Sequence, residues 1–198
     1  MNKPYSESCD QNKDPILAVI TPIFSSLNNV LEIGSGTGQH AIYFAEMMPH
    51  LKWYTSDCQP YLDGINMWLA DADLHNIAAP VELDVTSSKW PEIDVDAVFT
   101  ANSIHIMSSD DVVHFMSGVG QLLDINGDLV IYGPFNYQGS YTSESNERFD
   151  QWLKGRDTNS GIKNFEDMVS LAAESGMQLV TDYSMPANNR ILHFSKTG

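Results

Sequence analysis

Basic residues are scarce in this chain. Of 198 residues only 10 are Lys or Arg, against 26 Asp or Glu, for a formal charge of −16. A phosphate backbone is gripped by a basic stripe, and this balance opposes one. Cysteine is nearly absent too. Cys9 and Cys58 are the two present, which excludes a disulfide framework and a zinc pattern and suits a reducing compartment. No apolar run approaches the ~18 residues of a membrane span. The opening MNKPYSESCDQNKD lacks the apolar core of a signal peptide. These absences lead to the expectation of a cytoplasmic protein with no metal, nucleic-acid or membrane partner. Oligomeric state is not readable from them. There is no internal repeat and no low-complexity tract.

What is present is alternation. With 42% hydrophobic residues, a chain this long buries a real core as one domain, 1–198. Residues 1–13 read as a polar tail. A helix is expected from Asp14, an N-cap residue followed by Pro15, with Ile16, Val19, Ile20 and Ile23 at helical spacing. Strands are expected at 30–33, 51–55, 81–85, 96–101 and 128–132. Helices at 38–48, 60–74 and 110–123 fall among them, the last with Val112, Met116, Val119 and Leu123 as a core stripe. A helix over 165–175, capped by Gly176, precedes two strands at 178–183 and 191–195. The short joint between those two implies antiparallel pairing. Such alternation predicts a mostly parallel α/β sheet with helices on both faces. Residues 134–163, after the fifth strand, form a long connection with one short helix near 146–153, and read as a lid or binding insertion.

The sharpest signal is VLEIGSGTGQH over residues 30–40. Glycines at 34, 36 and 38, alternating with Ser35 and Thr37, give a strand-to-helix turn whose bare backbone a ligand can touch. Dinucleotide loops call for G-x-G-x-x-G, and Gln39 occupies the place of the third glycine. The G-x-G-x-G spacing with Glu32 ahead of it resembles motif I of class I S-adenosylmethionine-dependent methyltransferases. Asp57, 19 residues beyond Gly38, stands where a ribose carboxylate is expected, about 20 residues on; a solvated turn Asp is the bland alternative. Asp84-Val85 closes the third strand and suits an adenine edge, unless Asp84 merely caps a turn. Asn102 and His105, in NSIH after strand four, suit the cofactor's amino-acid part and the transferred methyl. A structural histidine is the competing reading of His105. The amino-methyltransferase tetrapeptide [DNS]-P-P-[YFW] is absent there.

Further motifs carry a narrower resemblance. Asn12-Lys13 with Pro15-Ile16-Leu17, LEIGSGTGQHA, Ser56-Asp57, Leu83-Asp84-Val85, Ile104-His105-Ile106 and Tyr132-Gly133-Pro134 belong to it. So do Ser145-Asn146 with Phe149-Asp150, Arg156-Asp157 with Gly161-Ile162, and Met185-Pro186-Ala187-Asn188-Asn189. The set resembles the uncharacterised methyltransferase-like protein 26 family from about Asn12 to Phe194. Gln11, Gly34 and Ser103 depart from the residues usual in that family (Arg, Ala and Met). Gln11 supplies no cation where that family often has one.

The resemblance implies a Rossmann-like class I fold of seven strands, the last antiparallel, and S-adenosylmethionine as cofactor. Cofactor-binding residues would be Asn12, Lys13, Glu32, Gly34, Ser35, Gly36, Thr37, Gly38, His40, Asp57, Asp84, Val85 and Asn102. His105 is the candidate base. Tyr132, Tyr137, Asn146, Arg156 and Asn188 are the polar candidates for a small-molecule acceptor. For Arg156 a salt bridge to Asp150 or Asp157 competes with carboxylate binding. A non-catalytic cofactor-binding module and an NAD-dependent oxidoreductase are the alternative functions.

Overall fold

A computed structural model describes residues 3–198; residues 1 and 2 of the expected tail lie outside them. In chain order the elements are α1 (Glu7–Phe24), β1 (Asn29–Ile33), α2 (Gln39–Met47), β2 (Lys52–Asp57), α3 (Gln59–Ala72), β3 (Val81–Glu82) and β4 (Ala97–Ala101). They continue with α4 (Ser109–Leu122), β5 (Asp128–Gly133), α5 (Glu144–Arg156), α6 (Phe165–Glu174), β6 (Met177–Ser184) and β7 (Arg190–Lys196). The strands form one seven-stranded sheet in the order β3-β2-β1-β4-β5-β7-β6. β1 runs parallel to β2 and β4, while β7 is antiparallel to both β5 and β6. Strand order reverses at the β1–β4 pair, where open α/β sheets hold their ligands beyond the carboxyl ends. The chain groups into two compact units, one ending at Phe99 and the other starting at Thr100.

In the first unit β1 is flanked on both edges and its residues from Val30 to Ile33 are buried. That explains its unbroken apolar reading, interrupted by Glu32 alone. Its core is aromatic: Phe44 meets Trp53 at 5.7 Å and Phe99 at 5.5 Å, and Phe24 closes on Trp53 at 6.4 Å. Asn76 is a buried polar exception, 8% exposed. Its amide donates to the carbonyls of Ala45 and Leu51, at 2.8 and 3.0 Å, satisfying acceptors left over near the end of α2.

α1 starts well ahead of Asp14. Ser6 is its N-cap, accepting from the Cys9 amide, and Pro15 and Pro22 lie inside the helix. Tertiary bonds override the local signal. Gln39 accepts from the Ser6 amide at 2.6 Å and donates to the Ser6 carbonyl, and Tyr43 donates to Asp14. Those anchors hold residues 7–13 helical despite the hydrogen bond that a proline removes.

In the second unit α4 begins with a capping box between Ser108 and Asp111. It buries Val112, Phe115, Met116 and Val119. α4 approaches α6 so closely that a Cβ at Gly120 would run into the Ser175 carbonyl. The insertion is more ordered than its composition suggests, since α5 runs for 13 residues from a Ser143 cap. β3 is shorter than expected, two residues against five, because Asp84 turns the chain at once.

Replacing Asn76 with Ala leaves two buried carbonyls unpaired. It is expected to cost about 2 kcal/mol in a urea titration; an unchanged midpoint would contradict the capping role.

Candidate functional site

The glycine loop is held from two sides. The amides of Gly34 and Ser35 both donate to the Ser56 carbonyl, at 3.0 and 2.9 Å. The Gly36 amide donates to Asp57 Oδ2 at 2.7 Å, and the Cys58 amide to Asp57 Oδ1 at 2.7 Å. β2 therefore grips the loop that leaves β1. Gly36 and Gly38 have φ of 58° and 87°, the left-handed region that disfavours a side chain. Their surroundings differ. A Cβ at Gly38 would lie 3.4 Å from Ile65 on α3, whereas one at Gly36 meets nothing within 4 Å. Gly38 serves packing; Gly36 leaves open space over the loop.

Beneath the loop lies Glu32, 1% exposed. Its Oε2 accepts from Ser35 Oγ and Trp53 Nε1, both at 3.1 Å, and its carbonyl accepts from Ser56 Oγ at 2.8 Å. Burial pushes this carboxyl up to about 7 against those hydrogen bonds. Burial also raises Asp57, opposed by the Gly36 and Cys58 amides. Glu32 thus supports the loop from the interior, while Asp57 keeps unused lone pairs on both oxygens (each takes one backbone N–H).

The remaining expected residues of this unit divide. His40, 4% exposed, bonds Asn12 at 2.7 Å and stacks on Phe44. Burial pushes it down to about 4. Thr37 donates to Gln39, which clasps Ser6. Gln39 was legible only as a missing glycine; its role is to tie α1 to α2. Lys13 pairs with Asp10 and lies over the Tyr43 ring. Asp84 is exposed and accepts from the Thr86 amide and hydroxyl, capping its own turn; Val85 is half-buried beside it.

In the second unit Asn102 adopts φ 60°, and its amide donates to the Tyr132 carbonyl at 2.9 Å. This left-handed residue bends the chain after β4 into the turn carrying His105. His105 is 6% exposed, and burial pushes it down to about 4, helped by Lys163. Phe149 meets its ring edge-on at 5.0 Å. A Cβ at Gly133 would lie 3.7 Å from its Nδ1, so the end of β5 leaves the ring room.

The far end of the insertion is stapled to the His105 turn. Gly161 N donates to the His105 carbonyl at 2.9 Å, Ser160 Oγ to that of Ile106 at 2.6 Å, and Lys163 Nζ to that of Met107 at 2.7 Å. Asp150 braces the insertion internally by accepting from Tyr141, Lys154 and the Ile162 amide.

Among the acceptor candidates, Asn146 donates to the Asn188 carbonyl, and Asn188 in turn to Ser145. The 185–189 turn therefore sits against α5. Tyr132 is buried at the end of β5. Tyr137 donates to Asp182, which also holds Arg190; burial and that carboxylate raise its pKa. This pairing makes Tyr137 a strut. Arg156 takes neither expected carboxylate, and its guanidinium lies 4.8 Å from the Trp152 ring. Two residues escaped sequence reasoning. Trp152 follows Phe149 by three positions and precedes Arg156 by four, a helical stripe that spacing alone reveals. Asn136 is buried with a side-chain oxygen that has no partner, which residue spacing does not reveal. Among the described residues no cluster of three His, Cys, Asp or Glu could hold a metal ion, and no helix is long and apolar enough to cross a membrane.

The chain belongs to the family described as a protein of unknown function, DUF938, whose model matches residues 3–196. Solved structures share its fold. An O-methyltransferase family protein from Burkholderia thailandensis superposes at TM-score 0.85 with 13% identity, over 97% of this chain and 58% of that one. Human N-acetylserotonin methyltransferase, solved with S-adenosylmethionine, gives 0.78 and 14%, over 97% and 53%. An O-methyltransferase family 2 protein from Planctomyces limnophilus, solved with apigenin, gives 0.80 and 14%, over 93% and 56%. The chain spans little more than half the length of these structures. At such identities the likeness is one of fold, the Rossmann-like class I methyltransferase fold.

Glu32 supplies a test of the loop's foundation. Its folded pKa, about 7, exceeds the ordinary 4.5. The folded state keeps a proton that the unfolded chain loses as pH rises through that window, so this group's contribution to stability falls there. Glu32→Gln has no proton to lose, and the histidine contributions cancel in the comparison. Relative to the natural protein it is expected to gain up to about 3 kcal/mol on going from below pH 4.5 to above pH 7, read from urea titrations. Parallel pH profiles would contradict a buried carboxyl under the loop.

Proposed function

We propose that this protein is an S-adenosylmethionine-dependent methyltransferase acting on a small-molecule acceptor, with the whole chain serving as one methyltransferase domain. The observation that carries this reading is Asp57. Two backbone amides hold its carboxylate at the end of β2, and the Gly36 side of the loop stands open. A vicinal diol donates two hydrogen bonds, and the lone pairs left on Asp57 fit it. The N-terminus of α2 suits a polar ligand without pyrophosphate. Gln39, bound to Ser6, stands where a dinucleotide loop needs its third glycine. The fold and the resemblance to methyltransferase-like protein 26 support the same assignment.

When bound, S-adenosylmethionine supplies a sulfonium methyl, which passes to the acceptor atom with loss of S-adenosylhomocysteine and, from a hydroxyl, one proton. The chain's own residues position and dry the partners. Asp57 and the loop from Gly34 to Gly38 hold the nucleoside, with Glu32 and Ser35 fixing the loop. Asp84, Val85 and Asn102 complete the cofactor contacts, and Asn12 on α1, bonded to His40 on α2, braces them. His105, neutral at physiological pH, accepts a hydrogen bond from the acceptor hydroxyl and takes its proton. Residues 134–163 enclose the acceptor beside the 185–189 turn.

Thermal shift with S-adenosylhomocysteine and with NAD tests the cofactor. Ligand at ~100 times its dissociation constant stabilises by about 2.7 kcal/mol. Stabilisation by S-adenosylhomocysteine is expected, with Asp57→Ala weakening its binding about 10- to 150-fold, since a hydrogen bond to a charged group contributes about 1.5–3 kcal/mol. Stabilisation by NAD alone would replace the reading with an oxidoreductase.

His105→Ala separates enzyme from binding module. It is expected to bind S-adenosylhomocysteine normally and to lose about 100-fold or more in label transfer from methyl-tritiated cofactor into a cell extract. Transfer at the natural rate would remove His105 from the mechanism. No transfer by the natural protein would favour a non-catalytic module.

A further inference from the structure

The charge of this chain is unevenly spread. Residues 134–163 contain four of its ten Lys and Arg and four of its 26 Asp and Glu, so the remainder of the chain carries the whole −16. The insertion is a neutral stretch in an otherwise anionic protein, the place where an anion meets least repulsion. Within it α5 has two useful faces. Asn146, Asp150 and Leu153 are buried. Flanking them runs the stripe Phe149, Trp152, Arg156, at spacings of three and four.

The stripe starts at His105. Phe149 meets that ring edge-on at 5.0 Å and stacks on Trp152 at 5.8 Å with 17° between planes, and the Arg156 guanidinium lies 4.8 Å from the Trp152 ring. Phe149 is half-buried and Trp152 53% exposed. A tryptophan so exposed, aligned with a phenylalanine and ending in an oriented guanidinium, offers stacking area for a flat ring and a fork for an anion. Among the described residues Arg156 takes no carboxylate: Asp150 is held by Lys154, Tyr141 and the Ile162 amide.

We propose that this stripe is the acceptor's docking wall, and that the acceptor is a planar aromatic hydroxy compound bearing an anionic group. Its ring lies along Phe149 and Trp152, its anion is met by Arg156, and its hydroxyl is directed to His105. This assignment rests on the methyltransferase reading above and deepens it. Phe149, Trp152 and Arg156 are specificity-determining residues for the acceptor and make no contact with the nucleoside.

The test uses the full chain saturated with S-adenosylhomocysteine, titrated calorimetrically with three probes. These are 4-hydroxycinnamate, the neutral 4-hydroxycinnamyl alcohol, and 3-cyclohexylpropanoate, an acid without an aromatic ring. The first should bind at least about tenfold more tightly than either of the others. Arg156→Gln should erase its advantage over the alcohol, and Trp152→Ala should weaken both aromatic probes. Both side chains are exposed, so the variants should keep their fold and their affinity for S-adenosylhomocysteine.

Equal or absent binding of all three probes, or unchanged affinities in the variants, would overturn the proposal. So would a dimer in sedimentation that Trp152→Ala dissociates, because a second copy would then cover the stripe. Failure of S-adenosylhomocysteine itself to bind would instead remove the methyltransferase reading beneath it.

Discussion

The grip of Asp57 on the Gly36 amide organises the first unit. A loop with three left-handed glycines carries little intrinsic order. It becomes a fixed surface because β2 ends in a carboxylate that accepts from it, while the Ser56 carbonyl takes the two preceding amides. Under the proposed function the same carboxylate also serves a ligand, a double duty that calls for a side chain at the strand's end and not one more backbone ladder bond. Backbone amides can hold a carboxylate in place and leave part of its accepting capacity unused.

Below that surface Glu32 follows the opposite logic. It is a buried acid surrounded by donors, and its protonation is set by burial more than by partners. Placing a carboxyl where the loop needs an acceptor costs stability at neutral pH, yet it ties Ser35, Trp53 and the end of β2 into one network. The second unit repeats the pattern with different chemistry. Asp150 draws Tyr141, Lys154 and the Ile162 amide together, and the 160–163 stretch is pinned to the turn that carries His105. In both units a buried acid orders a loop.

Much of this was legible in the sequence, for identifiable reasons. Strands and helices buried on defined faces announce themselves by period, as with β1 and the Val112–Met116–Val119 stripe of α4. The glycine loop was readable because its left-handed backbone restricts residue type at fixed spacing. The start of α1 was not. Asp14-Pro15 is a good local cap, and only the clasp between Gln39 and Ser6 extends the helix past it. Nor could sequence separate Asp57, whose amide partners come from the loop and from its own turn, from Asp84, which caps its own. Phe149, Trp152 and Arg156 share a stripe that could have been read from spacing, had the helix over 144–156 been expected at its full length. Arg156's partner is a ring and not a carboxylate, which no composition argument supplies.

The central claim is that the Asp57-bound loop is a nucleoside cradle. The most direct measurement is a crystal of the protein grown with S-adenosylhomocysteine. Electron density for the nucleoside against Gly36, with its ribose hydroxyls on Asp57, is the predicted result. An empty loop at saturating ligand, or a ligand bound away from Asp57, would contradict the account.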